Sequence, residues 1–277
     1  MKINLPKNKH IAVILEPRSG SHAFRNYISS SLDILNLGEF LNPINPQQTV
    51  VVDKNKKTAL TFKDVFRRDS VFDFDNIKIN NWADKSLTIL NDVASVDHYA
   101  IFSLLIKNVL SCYPDVIRKI KNNSNIDFIR LKRIDVLYGI VSIEICKYTE
   151  IWHNIDQRDT FSRVNIKNKI NIPIDEIKFH LEMYIKCENL IKEIFGNVPV
   201  IYYEQWQNNI RNLNKIITLP NKLISIEFSK FAGDYRDLIS NINEIEDYYR
   251  EFVKEHSEYF HDAHVNTILS QSINELY

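Results

Sequence analysis

The sequence predicts an α/β fold, with a central, mostly parallel sheet flanked by helices. Short apolar runs of strand length, Ile11 to Leu15, Tyr99 to Ile106, Ile126 to Leu131 and Val198 to Tyr203, alternate with longer segments of helical spacing. Strands separated by helices in this way form parallel sheets covered on both faces. The first run leads into a loop of small residues and then a helix. That local order gathers backbone N–H groups and the positive end of a helix dipole where an anion can bind. With 277 residues, 44% of them hydrophobic, the chain can bury a substantial core.

Ile11 to Leu15 is apolar throughout and bounded by polar residues, the pattern of a strand buried on both faces. Glu16-Pro17-Arg18-Ser19-Gly20-Ser21 is a tight turn, and Ala23, Tyr27, Ile28 and Leu32 have the spacing of the next helix. Gly38 and Pro43 are its stop signals. Thr58 to Asp97 is mixed: Phe62 to Phe66 has helical spacing, and Asn76 to Lys85 reads as loop or short strand. Tyr99 to Ile106 is a buried strand followed by a helix over Val109 to Lys121.

Ile126 to Leu131 alternates as a strand, leading through Lys132-Arg133-Ile134-Asp135 into a helix from Val136 to about Trp152. Pro173 opens a long helix with Ile177, Leu181, Ile185, Leu190 and Ile194 on its apolar side. Gly196-Asn197 ends that helix, and Val198 to Tyr203 is the last strand. From about residue 207 the chain is mainly helical, notably Tyr235 to Glu255. We expect residues 1–277 to form a single domain.

Lys+Arg and Asp+Glu each number 35, so the formal charge is zero and no global basic field points to nucleic acid. The three cysteines, Cys112, Cys146 and Cys187, are far apart and read as buried thiols, not as a disulfide frame or zinc site. The apolar run near the N-terminus ends within five residues, short of the about 7–15 of a secretory segment and the about 20 of a membrane span. The expectation is a soluble, cytoplasmic protein. Glycine occurs only five times, so Gly20 in the middle of the anion loop is informative, and other turns must rely on Asn and Asp.

Pro17-Arg18-Ser19-Gly20-Ser21 is not the nucleotide triphosphatase loop G-x-x-x-x-G-K-[ST]: the first glycine and the lysine are missing. It resembles the P-[RK]-S-G-[ST] loop of sulfotransferases, which binds the 5′-phosphosulfate of 3′-phosphoadenosine 5′-phosphosulfate. A second stretch agrees with it. An arginine at a strand end and a serine on the next helix hold the 3′-phosphate in that family, and Arg133 and Ser142 match them, with Arg130 and Lys132 competing for the basic role. Arginine suits a two-pronged charged contact, and serine adds a directional donor.

The chain is most similar to the bacterial group of sulfotransferases that includes trehalose sulfotransferases. Besides the loop, it has Glu39-Phe40-Leu41-Asn42-Pro43, Leu131-Lys132-Arg133-Ile134-Asp135 with Val141-Ser142, Trp152-His153 and Tyr203-Glu204, in the family's order over residues 11 to 206. The resemblance implies a three-layer P-loop NTPase-like fold and a homodimer. It also implies sulfuryl transfer to a hydroxyl acceptor, with a sugar or glycolipid as the leading class.

Cofactor contacts then fall to Arg18, Ser19, Gly20, Ser21, His22, Arg133 and Ser142, and catalytic roles to Arg18 and to Glu39 as general base. His98 and His153 are alternative bases. His22 stands where the family has a hydroxyl, and Lys230 is the candidate for the adenine. The acceptor pocket falls to residues 44–97 and 153–172. His256, His261 and His264 lie in a charged C-terminal segment and read as surface residues, and the chemistry needs no metal. Two other readings stay open: a catalytically inactive binding module of the same fold, and a P-loop kinase-like nucleotide-binding protein.

Overall fold

The computed structural model describes residues 2–5, 8–39, 50–53, 58–61, 99–107, 114–149, 169–219, 235–262 and 264–268, with backbone only at 50–53, 58–61 and 114–116. The described strands are β1 (Ile3–Asn4), β2 (His10–Leu15), β3 (Leu35–Asn36), β4 (Val50–Asp53), β5 (Thr58–Thr61), β6 (Ala100–Leu105), β7 (Ile126–Lys132), β8 (Val200–Tyr202) and β9 (Ile217–Thr218). The longer helices are α1 (Ser21–Leu32), α2 (Pro114–Lys121), α3 (Val136–Thr149), α4 (Ile174–Phe195) and α5 (Ile242–Glu255). The protein is α/β, with a parallel central sheet flanked by helices. None of the described helices is long and apolar enough to cross a membrane.

The chain divides into two compact units, 1–132 with 189–226 and 133–188 with 227–277. The first contains the five-stranded sheet, in the order β3-β6-β2-β7-β8, with every neighbouring pair parallel. β2 is central, with Val13 paired to Ser103 on one side and Ile129 on the other, so all six of its residues are buried. This is why His10 to Leu15 carries no alternation. Val13, Leu15, Phe24, Ile28, Leu131 and Trp206 belong to the core of this unit. β1 and β9 form a small parallel pair, and β4 and β5 an antiparallel one that the sequence reading did not anticipate.

Several boundaries differ from expectation for local reasons. α1 ends at Leu32 because Asp33 adopts a left-handed conformation (φ 62°) and donates its N–H to Ser29 O. The helix stop is therefore Asp33. Gly38, at φ 61°, instead turns the chain at the end of β3, a strand too short to register as a pattern. β8 begins at Val200, and the carbonyl of Pro199, which has no N–H to offer, accepts from Arg130 N at 2.8 Å. The chain leaves β8 at Tyr202 and makes a 3₁₀ turn over Tyr203–Gln205.

The second unit packs α3, the first part of α4 up to Glu188, and α5 around Val136, Leu137, Ile177, Leu181, Tyr249 and Val253. The buried stripe of α4 is rotated from the expected one. Ile177, His180, Leu181, Tyr184, Cys187, Ile191 and Phe195 are buried, whereas Ile185, Leu190 and Ile194 are only half-buried. A histidine and a cysteine thus hold positions that a purely apolar count passes over. Tyr235 to Glu255 is not one helix. Tyr235–Asp237 is a 3₁₀ turn, and Ile239 then bridges to Ile170. Asn241 bonds Ile172 N at 3.1 Å and Ile172 O at 2.8 Å, and only then does α5 begin.

Candidate functional site

The anion loop leaves the sheet at the carboxyl end of β2, where Leu15 is paired with Leu105 of β6 and Leu131 of β7. From β2 the chain runs through α1 to β3 beyond β6, whereas β7 is followed in the sheet by β8 on the opposite side. The strand order therefore reverses beside β2, the position at which open parallel sheets bind ligands outside their carboxyl ends.

Within the loop Arg18 (φ 66°) and Gly20 (φ 75°) are both left-handed, a conformation that costs a non-glycine residue roughly 1–2 kcal/mol. Strain of this kind at Arg18 persists where the surroundings hold it in place. Ser19 between them is buried, 1% exposed, and its hydroxyl has no hydrogen-bond partner among the described residues. An unsatisfied buried hydroxyl costs about 1–3 kcal/mol, so among the described residues this atom is a donor left available to a bound group. α1 begins directly after Gly20, whose carbonyl accepts Phe24 N at 3.1 Å and which, as the N-cap residue, has no side chain to cap the first turn. Arg18, Ser19, Gly20, Ser21 and His22 are thus contiguous around one helix start, as expected.

The opposite wall is aromatic. A Cβ on Gly20 would lie 2.5 Å from Tyr203 Cδ2 and 3.1 Å from the Trp206 ring. The Tyr203 ring meets Trp206 edge-on at 5.1 Å, and Trp206 packs against Phe24 of α1 at 5.9 Å. The 3₁₀ turn after β8 carries both aromatics to the loop. Trp206 was missed by the sequence reading, although a tryptophan three residues beyond Tyr203 was the available signal.

Glu39 follows β3 on the carboxyl side of that strand, two strands or about 10 Å across the sheet from β2, where the chain turns at Gly38 beside Ser103, which is paired with Val13. Its neighbour Gly38 is fixed on both sides: Gly38 N donates to Asn36 Oδ1 at 3.0 Å, and Gly38 O accepts Ser103 N at 2.8 Å. Arg25 of α1, 3% exposed, joins the two supports. Its Nε donates to Asn36 Oδ1 at 3.3 Å and its Nη1 donates to Ser103 Oγ. Asn36 Nδ2 also donates to Asn26 Oδ1 at 2.6 Å. Burial lowers the Arg25 pKa to about 10, against the opposing pull of the Glu39 carboxylate.

Arg133 and Ser142 belong to the second unit. Arg133 lies over the Tyr138 ring, with its Cζ 4.7 Å from the ring centroid, a cation–π contact. Asp135 Oδ1 accepts Tyr138 N at 2.9 Å as α3 begins, and Ser142 is half-buried on that helix. Of the competing cations, Arg130 is 9% exposed within β7 and Lys132 is half-buried at its end. Phe40, Leu41, Asn42, Pro43, His98, Cys112, Trp152, His153 and Lys230 lie outside the described residues.

A second polar cluster was not anticipated. Glu144, Glu176 and His180 bring potential ligand atoms within 4.8 Å of one another. His180 Nε2 and Lys147 Nζ meet Glu144 Oε1 at 2.6 and 2.7 Å, and Lys147 also reaches Glu176 Oε2 at 3.2 Å. The ammonium of Lys147 therefore stands where a cation between the carboxylates would sit. His256, His261 and His264 are half-buried and not plainly superficial: His256 packs on Phe252 at 4.5 Å, and His264 Nε2 pairs with Tyr249 OH at 2.8 Å. Cys146 and Cys187 are buried thiols, as expected.

Comparison with family models and with curated proteins returns no match to this chain.

Proposed function

We propose that this chain is a sulfotransferase that moves the sulfuryl group of 3′-phosphoadenosine 5′-phosphosulfate to a hydroxyl acceptor, with a sugar or glycolipid as the leading acceptor class. The observation that carries the reading is the buried hydroxyl of Ser19, without a partner among the described residues and set in a loop between β2 and α1. A central first strand with this loop at its carboxyl end also supports a three-layer P-loop NTPase-like fold.

The residues fit the group. A phosphate-sized anion needs a cation, backbone N–H groups and hydroxyl donors, and Arg18 to His22 supply all three kinds at a helix start. By the sequence resemblance, Arg133 and Ser142 take the 3′-phosphate. When bound, the cofactor supplies an activated sulfuryl group on a phosphate that can leave.

The chain's own residues then have two tasks. Glu39 accepts the proton of the acceptor hydroxyl as that oxygen bonds to sulfur. Arg18 and the loop N–H groups would hold the 5′-phosphate end of the cofactor and stabilise the negative charge that grows there during transfer. Catalysis is mostly positioning and electrostatics, as in phosphoryl transfer.

Calorimetric titration with 3′-phosphoadenosine 5′-phosphate, with ATP and magnesium as control, tests the reading on the wild type and on Arg18→Ala. Magnesium-independent binding that is lost in R18A is expected. No binding to the folded wild type, or binding only of ATP with magnesium, overturns it.

A further inference from the structure

We infer that Arg25 is the positioning residue for Glu39, acting as a two-pronged clamp that fixes the Gly38–Glu39 turn; this rests on the proposed role of Glu39 as the base. A general base is effective only when its carboxylate is held at the acceptor, and misplacement of about 1 Å can cost on the order of 100-fold in rate. Glu39 follows a glycine at φ 61°, a residue with little intrinsic preference for one conformation. The turn must therefore be fixed from outside, and two bonds do so, Gly38 N to Asn36 Oδ1 and Ser103 N to Gly38 O.

Both supports converge on one guanidinium. Arg25 Nε holds the same Asn36 oxygen that receives Gly38 N, and Nη1 holds the hydroxyl of the serine whose N–H binds Gly38 O. Asn36 is itself braced from α1 by Asn26. Helix, short edge strand and inner strand are thereby tied at the point where the chain turns to present Glu39. An arginine this buried is costly unless its donors are used, and the planar fork suits two fixed acceptors in a way that lysine does not. The Glu39 carboxylate also acts on the guanidinium, which burial alone would push lower still.

The test compares wild type with Arg25→Met, Arg25→Lys, Ser103→Ala, Glu39→Gln and the double variant R25M/E39Q. Amide hydrogen exchange reads the clamp directly, without any ligand. Exchange at Gly38 is expected to rise at least about tenfold in R25M and R25K, and about threefold in S103A, while the amides of β2 and β7 stay protected. With 3′-phosphoadenosine 5′-phosphosulfate and water as the acceptor, R25M is expected to lose turnover by on the order of 100-fold. Its affinity for 3′-phosphoadenosine 5′-phosphate should stay within about twofold, and R25M/E39Q should be no slower than E39Q alone.

Unchanged protection of Gly38 in R25M overturns the proposal, as does full recovery in R25K, which would make charge alone the agent. Equal loss of affinity and turnover in R25M also overturns it. If R25M fails to fold, S103A decides by the same exchange reading. If the wild type binds no nucleotide, the sulfotransferase reading falls, and exchange at Gly38 still decides whether Arg25 sets the turn.

Discussion

The ring of Tyr203 closes on the Cα of Gly20, so that a Cβ at position 20 would stand 2.5 Å from Tyr203 Cδ2. Gly20 is thus required twice: by its left-handed φ of 75° and by the aromatic ring that leaves no room for a side chain. The residue after β8 and the middle of the first loop press on each other, which couples the two chain segments of the first unit at the candidate site.

Gly20→Ala should therefore destabilise the protein by about 3 kcal/mol, combining the left-handed penalty with overpacking. Chemical denaturation measures it directly. In a Tyr203→Ala background the same change should cost less, the conformational part of about 1–2 kcal/mol with the remaining close contact of Trp206. Equal costs in both backgrounds would mean that the ring does not press on the loop.

Ser19 gives a prediction of opposite sign for stability and binding. The hydroxyl is buried without a partner among the described residues, so Ser19→Ala removes an unsatisfied group and should leave the free protein as stable or up to about 1 kcal/mol more stable. Affinity for 3′-phosphoadenosine 5′-phosphate should fall by about tenfold in the same variant. Strained or unsatisfied groups that lower stability but serve binding are the usual trade at functional sites. A destabilised S19A with unchanged affinity would mark Ser19 as a structural residue only.

The loop was legible in the sequence because its signals are local: an unbroken apolar strand, small residues, a scarce glycine and a helix follow one another from Ile11 to Ile28. The parallel sheet was legible for the same reason, except for β3, whose two residues carry no pattern. What supports the site was not legible. Arg25 and Asn36 read as polar surface in a one-dimensional pattern, and they are buried because the sheet covers them, β6 bringing Ser103 to Arg25 from 78 residues away along the chain. Trp206 likewise takes its meaning from β8 pairing with β7, which swings the following turn onto Gly20. His180 was passed over because its partner, Glu144, lies on another helix.

That buried pair makes the second unit sensitive to acid. Burial raises the Glu144 carboxyl pKa, but hydrogen bonds from His180 and Lys147, with the Lys147 charge, outweigh it and hold the group below its ordinary 4.5. A carboxyl depressed on folding contributes stability above its unfolded pKa and loses it as pH falls through the lower folded value. Lys147 works at the other end. Burial lowers its pKa, yet Glu144 and Glu176 outweigh this and raise it above 10.5, so its contribution is present below that pH and is lost as pH climbs through the raised value. Glu144→Gln removes the first contribution and weakens the second. It should lower stability near neutrality and flatten the fall of stability below about pH 4.5, with loss on the alkaline side at a lower pH than in the wild type. Denaturation midpoints across the pH range measure all three, and acid limbs that stay parallel in wild type and E144Q would show that Glu144 carries no folding-linked proton.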